Sequence, residues 1–335
     1  MQLKNLFWGL GLVTLTACSS CSNATTGTTS QPSASNTQKQ EAKTSRPTFQ
    51  ADSAYHYIAQ QLDFGPRVPG SEAQQQTAAW LESELKRHGA EVSVQRTTAK
   101  AYDGKQLPVI NLLGRIHPEA KMHVLLMSHW DSRHVADHDA DPDKRNQPVP
   151  AANDGASGVG VLLEIARLAS QQLPQVGIDI FLTDVEDYGA PEDWKGSHDE
   201  KWWAMGTQAW CKQMRNESYR AEYGILLDMV GAEDATFYRE YYSERYASAY
   251  VDQVWRTASN LGYNDLFRNQ RGGGITDDHV FVNQMLGVPT LDIIDTRLDD
   301  DGTFFPYWHT TEDTLDKIST ETLRKVGEVL VALLW

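Results

Sequence analysis

Ile178-Asp179-Ile180-Phe181-Leu182-Thr183-Asp184-Val185-Glu186-Asp187 is a short, largely apolar run that ends in a cluster of acids. A run of this length and composition reads as a strand buried on both faces, with its polar residues gathered at the carboxyl end. Upstream, His123–Met127 has the same character and runs into Ser128-His129-Trp130-Asp131. Downstream, Tyr223–Leu227 is followed at once by Asp228, and Val109–Leu113 and Thr290–Ile294 complete the set of candidate strands. Helical patterns alternate with them. Ala73–His88 ends at Gly89, a natural C-cap, and Gly155–Ala169 carries Val159, Leu162, Leu163 and Ala166 on one face. Trp203–Met214, Ala247–Leu261 and Glu321–Leu334 follow. The alternation predicts an α/β fold: one globular domain with a central, mostly parallel twisted sheet and helices on both faces. In such sheets ligands bind beyond the carboxyl ends of the strands, and three of these strands deliver His or acid residues there.

The flanking segments set the boundaries. Met1–Ala17 has one early cation, Lys4, and an apolar stretch Leu6–Leu15, too short to span a bilayer. Leu15-Thr16-Ala17-Cys18 resembles a bacterial lipoprotein signal, in which Cys18 becomes the acylated N-terminus. Residues 18–50 are polar and nearly free of large apolar side chains, so they read as a flexible tether. Residues 51–335 are left as the catalytic domain. The implied address is the periplasmic side of a bacterial envelope, with Ser19 favouring the outer membrane and Cys18 the sole membrane contact. A net charge of -15 with no basic cluster excludes nucleic acid as a partner. Cys211 is the one cysteine of the folded part, and it reads as a buried thiol rather than a nucleophile.

Asp154 in A-A-N-D-G-A-S-G, Glu186-Asp187, and His309 in Y-W-H-T are separated by tens to more than a hundred residues. Two carboxylates (Asp154, Asp187) and one imidazole (His309) are the set a catalytic zinc takes when it keeps a position open. Glu186 is then beside the metal with nothing to ligate, placed as a proton carrier. Taken singly each residue has a plainer reading. Asp154 stands where a helix N-cap belongs, Glu186-Asp187 can be a solvated acidic loop, and His309 sits among apolar neighbours that could simply cover the core. His134 and His138 in the Asp-rich loop 134–150, and His56, His88, His117, His123 and His198, read as incidental. The case rests on several strand-end clusters occurring together.

In this order, S-H-W-D-S, A-N-D-G-A-S-G, D-V-E-D, L-L-D-M-V-G, D-D-H and W-H-T resemble the zinc aminopeptidase superfamily that also contains the glutaminyl cyclases; the resemblance covers residues 52–335. It implies an α/β-hydrolase-like domain with a mixed sheet. In the aminopeptidase branch two zincs are held, by residues matching His129 and Asp228, Asp187 and His309, and a bridging Asp154. In the cyclase branch one zinc per chain is held by those matching Asp154, Asp187 and His309, and Glu186 carries protons. Trp308 before His309, the D-D-H at Asp277-Asp278-His279, and Trp194 as a second pocket indole favour the cyclases. Mammalian cyclases have Glu-Glu at Glu186-Asp187, so the ligand here is one methylene shorter. The resemblance thus implies peptides or proteins with N-terminal glutamine as substrates and pyroglutamate and ammonia as products. Glu186, Asp228 and Asp278 would form the acid network, and Trp194, Trp308 and His129 the substrate contacts. A monomer is expected. The alternatives are a dizinc aminopeptidase and a non-catalytic peptide-binding lipoprotein.

Overall fold

The computed structural model describes residues 46–298 and 303–335, so the signal and tether readings up to residue 45 lie outside the described residues. The central sheet has six strands in the order β1-β2-β4-β3-β5-β8. They are β1 (Glu91–Lys100), β2 (Gln106–Ile116), β3 (His123–His129), β4 (Gly177–Thr183), β5 (Tyr223–Asp228) and β8 (Thr290–Ile294). β4, β3, β5 and β8 run parallel, while β1 and β2 are antiparallel to their neighbours. The mixed, mostly parallel sheet is as expected. Two short pairs lie outside it: β6 (Phe237–Arg239) with β7 (Phe267–Arg271), and β9 (Thr296–Arg297) with β10 (Thr303–Phe304).

Alternation along the strands divides the interior into two layers. Val124, Leu126, Ile178, Ile180, Leu182, Ile225 and Leu227 face one side. There they pack with helices α1 (Ala51–Asp63), α3 (Ala156–Gln171) and α7 (Thr320–Leu334). Leu125, Met127, Phe181 and Leu226 face the other side, against Trp210, Cys211 and Met214 of α4 (Met205–Asn216) and Val282 of α6 (Asp278–Leu286). Cys211 is buried and free, and burial raises its thiol pKa well above the ordinary value, so it is an inert core residue.

Helix α2 (Glu72–Arg87) starts where Ser71 accepts from Gln74 N, and Gly89 at φ 81° supplies the left-handed stop the sequence predicts. α5 (Tyr241–Asn260) begins six residues before the expected Ala247. Glu240 caps it by accepting from Tyr242 N and Ser243 N, and Ala247 is non-helical (φ -135°, ψ 28°), so periodicity reveals the piece beyond that kink. The parallel strands end together, at His129, Thr183, Asp228 and Ile294. That rim carries the site.

Candidate active site

Each chemical residue is placed by the turn that leaves its strand. Past β3, the buried Asp131 accepts from Glu186 N (3.1 Å) and Asp187 N (3.2 Å), tying two strand ends together. Past β4, Asp184 accepts from Gln74 Nε2 (2.7 Å), Ile110 N (2.7 Å) and Val185 N (2.9 Å). Asp154 is not the N-cap of α3. That position is Gly155, where a Cβ would overlap the His129 ring, and Asp154 lies within ion-pair range of His129 and His309. Asp313 fixes the Asp154 backbone by accepting from Asn153 N (2.8 Å) and Asp154 N (3.1 Å). Val185, Met229 and His309 all have positive φ (54°, 50° and 55°). Left-handed backbone at a non-glycine residue costs on the order of 1–3 kcal/mol and concentrates where function holds it in place.

Two donor sets share Asp154. The ligating atoms of Asp154, Asp187 and His309 lie within 4.8 Å of one another, and so do those of His129, Asp154 and Asp228. In the first set His309 Nε2 is 3.1 Å from Asp187 Oδ1 and 3.6 Å from Asp154 Oδ2, and the buried Asp187 Oδ2 has no hydrogen-bond partner. Burial, and then the charge of Arg133, keeps the His309 imidazole neutral, the form that ligates. An orphaned carboxylate oxygen beside a neutral imidazole and a second carboxylate fits zinc. In the second set His129 Nε2 already lies between Asp154 Oδ1 (2.9 Å) and Asp228 Oδ1 (3.2 Å).

Asp154, Asp187, His309 and Asp228 line a cavity of about 380 Å³ together with Glu186, whereas His129, expected as a substrate contact, is buried and does not line it. Burial raises the Glu186 carboxyl well above its ordinary pKa, and Asp277, Asp187 and Asp278 add to the effect while His129 opposes it. Burial also pushes Asp228 up to about 7, against the pull of His129.

The apolar walls differ from expectation in one residue. Trp308 lines the cavity as predicted, stacked on His309 (3.7 Å between ring centres) and against Phe304 (4.6 Å). Trp194 does not. It is 37% exposed and lies edge-on against Tyr102 at 4.9 Å. The second indole is Trp203, read from sequence as a core aromatic; it lines the cavity parallel to the His309 ring (6.3 Å, 11°), under the Arg133 guanidinium (5.2 Å). Both acids of the Asp277-Asp278 pair act on Glu186, from different positions. Asp277, the N-cap of α6, lines the cavity, whereas Asp278 is fully buried behind it. Successive residues at a helix start point about 100° apart, so one of the pair had to turn inward.

Other residues surfaced only in three dimensions. Arg133 reaches Asp187 Oδ1 (3.3 Å) and grips Asp137 through two short bonds (2.7 and 2.6 Å). Asp137 Oδ1 stands 3.6 Å from His309 Nδ1. His138 packs on Trp308 (4.4 Å), and its amide donates to the His309 carbonyl (3.2 Å). His134 stacks on Tyr188. His198 lines the cavity mouth.

Residues 111–334 match the model of peptidase family M28. A glutaminyl cyclase from Tannerella forsythia superposes with a TM-score of 0.83 at 49% identity, covering 86% of this chain and 99% of that one. A structure from Parabacteroides distasonis described as a Zn-dependent exopeptidase gives 0.84 at 46%, with the same coverage. The Bos taurus glutaminyl-peptide cyclotransferase is 25% identical over 248 residues, 66% of this chain, which spans 65% of the bovine protein. Matched over most of its described length, with the shared-aspartate donor sets at the ends of its parallel strands, the chain belongs to peptidase family M28.

Proposed function

We propose that the protein is a glutaminyl-peptide cyclotransferase, converting the N-terminal glutamine of peptides and proteins to pyroglutamate. The observation that carries this reading is the cavity itself: one donor set with an unpartnered carboxylate oxygen, the buried Glu186 beside it, and Trp203, Trp308 and Phe304 around it. Such a pocket suits one side chain folded back on its own backbone. One zinc, held by Asp154, Asp187 and His309, supplies Lewis-acid polarisation of the substrate's γ-amide carbonyl when bound. The remaining work falls to the chain. The aromatic walls hold the glutamine bent, so that its α-amine meets its own Cδ without a bimolecular step. As the new C–N bond forms and the old one breaks, Glu186 takes a proton from the amine and returns it to the departing nitrogen, releasing ammonia. Asp228 and Asp277, both lining the cavity, hold the amine and share that proton.

Mass spectrometry of a Gln-Xaa-Xaa and a Leu-Xaa-Xaa peptide after incubation, with zinc counted on the same sample, tests the reading. Loss of one ammonia from the first peptide alone, with one zinc per chain, is the expected result. Removal of whole N-terminal residues with two zincs would instead make His129 and Asp228 metal ligands of an aminopeptidase. Zinc without any turnover would leave a peptide-binding protein. We further propose that Cys18 carries lipid and anchors a monomeric enzyme at the outer membrane on the periplasmic side; Cys18→Ser should then move it from the membrane pellet to the soluble fraction.

A further inference from the structure

We infer that a basic hollow beside the active-site cavity selects substrates with acidic residues downstream of the N-terminus. The inference rests on the cyclase reading above and adds a substrate class to it. In a chain of net charge -15, a hollow of about 260 Å³ is lined by three arginines (Arg239, Arg245 and Arg271) and one acid, Glu244. Arg239 is occupied by Glu244, Asp252 and Asn269, so the acid's charge is already spent. Arg245 and Arg271 are exposed and, among the described residues, pair with no carboxylate; Arg245 leans on the Tyr246 ring. Tyr241, 52% exposed, adds an aromatic surface to the lining. Two free guanidinium groups and an open phenol ring are a receptor for carboxylates.

Its position ties it to the reaction. Arg271 and Gly272 line the hollow, while Gly274, Ile275, Thr276 and Asp277 line the catalytic cavity, so one stretch of chain walls both. That stretch is fastened to the α5 start: Gly272 N donates to Arg239 O (2.8 Å), Tyr241 N to Gly273 O (2.9 Å) and Ile275 N to Glu240 Oε1 (2.9 Å). From Gly274 back to Arg271 is three residues, about 10 Å of extended chain. A peptide with its glutamine in the cavity and its chain running along this stretch reaches the hollow with its third to fifth residues, at roughly 3.4 Å per residue.

The test compares Gln-Ala, Gln-Ala-Glu-Glu-Glu and Gln-Ala-Lys-Lys-Lys on the zinc-loaded enzyme and its Arg245→Glu/Arg271→Glu double variant. The wild type should favour the acidic pentapeptide over the basic one in kcat/KM by roughly fivefold at low salt, the preference fading at high salt. In the variant it should vanish or invert while Gln-Ala turnover is unchanged. Anisotropy of a C-terminally labelled acidic pentapeptide on zinc-loaded Glu186→Gln protein, with and without the arginine changes, gives the same comparison without turnover. Loss of Gln-Ala turnover in the wild type would strike at the cyclase reading, whereas the binding comparison would still judge the hollow. Equal handling of acidic and basic peptides by the wild type, or a preference that survives the double variant, overturns the inference.

Discussion

Glu186 is asked to pick up and release a proton at neutral pH, and its surroundings are suited to that. It is buried, so its charged form is penalised, and three more acids, Asp277, Asp187 and Asp278, push in the same direction. Glutamine in its place keeps the shape but cannot carry a proton. Glu186→Gln should lower kcat by about 10²–10⁴-fold, with the zinc content unchanged by elemental analysis; a near wild-type rate would remove Glu186 from the chemistry. The indoles give a second, sharper test. Trp203 lines the cavity and Trp194 lies outward on Tyr102, so Trp203→Ala should raise KM for Gln peptides by tenfold or more, on the order of 1.4 kcal/mol of lost contact. Trp194→Ala should change it by less than about threefold. The opposite ranking in steady-state kinetics would restore Trp194 as the pocket residue.

At the scale of elements, the Asp-rich loop after β3 acts as a clamp on the segment that presents His309. Asp139 Oδ2 accepts from Thr311 N (3.0 Å) and Thr311 Oγ1 (2.6 Å), His138 N donates to His309 O, and Asp137 faces His309 Nδ1 while neutralising Arg133. Carboxylates behind a metal-binding histidine orient it, and their loss typically costs 10–100-fold in metal affinity. Asp137→Ala should weaken zinc binding by about that much in chelator competition without unfolding the protein, and unchanged affinity would reduce the loop to a cover. This clamp also shows where reading a sequence stops. β3, β4, β5 and β8 were legible because both faces of each are buried, and the acids at their ends could be named from position alone. β1 was not, because its ten residues form a largely exposed edge whose polar pattern resembles a loop. Nor was α6, with nine residues and no clear apolar stripe. Asp154, Asp187 and Glu186 were found because they follow a strand or precede a helix, whereas His309 stood out only as part of the ordered motif set. That Asp277 and Trp203, not Asp278 and Trp194, line the cavity depends on side-chain direction and on the path of the loop after β4, which local spacing does not carry.

The whole molecule buries an unusual amount of carboxylate, and that has a pH signature separate from catalysis. Asp295 shows it most cleanly, because it belongs to neither donor set. It is fully buried at the end of β8, accepts from Thr236 N (2.9 Å) and pairs with Arg297, yet burial outweighs both and pushes its carboxyl up to about 6. Its unfolded value is 3.8. Because the folded value is the higher one, the fold binds the proton more tightly than the unfolded chain does. Its contribution to stability is therefore complete below about pH 4 and is lost as the pH rises to about 6, by at most ~3 kcal/mol. Asp313, pushed up to about 7 by burial and then by Asp154, acts in the same direction over a wider window. Zinc opposes the trend, since its ligands bind it deprotonated and its hold on the folded state grows with pH. The zinc-free protein should accordingly lose stability between pH 4.5 and 7, and zinc should recover part of that loss. Asp295→Asn removes one titrating group while the amide oxygen still accepts from Thr236. In urea unfolding of the zinc-free protein at pH 4.5 and 7, the variant should show the smaller decline, by up to ~2 kcal/mol, since part of the effect is already lost at pH 4.5. Parallel declines in the two proteins would mean that Asp295 stays ionised in the fold and that the Arg297 pair, not burial, governs it.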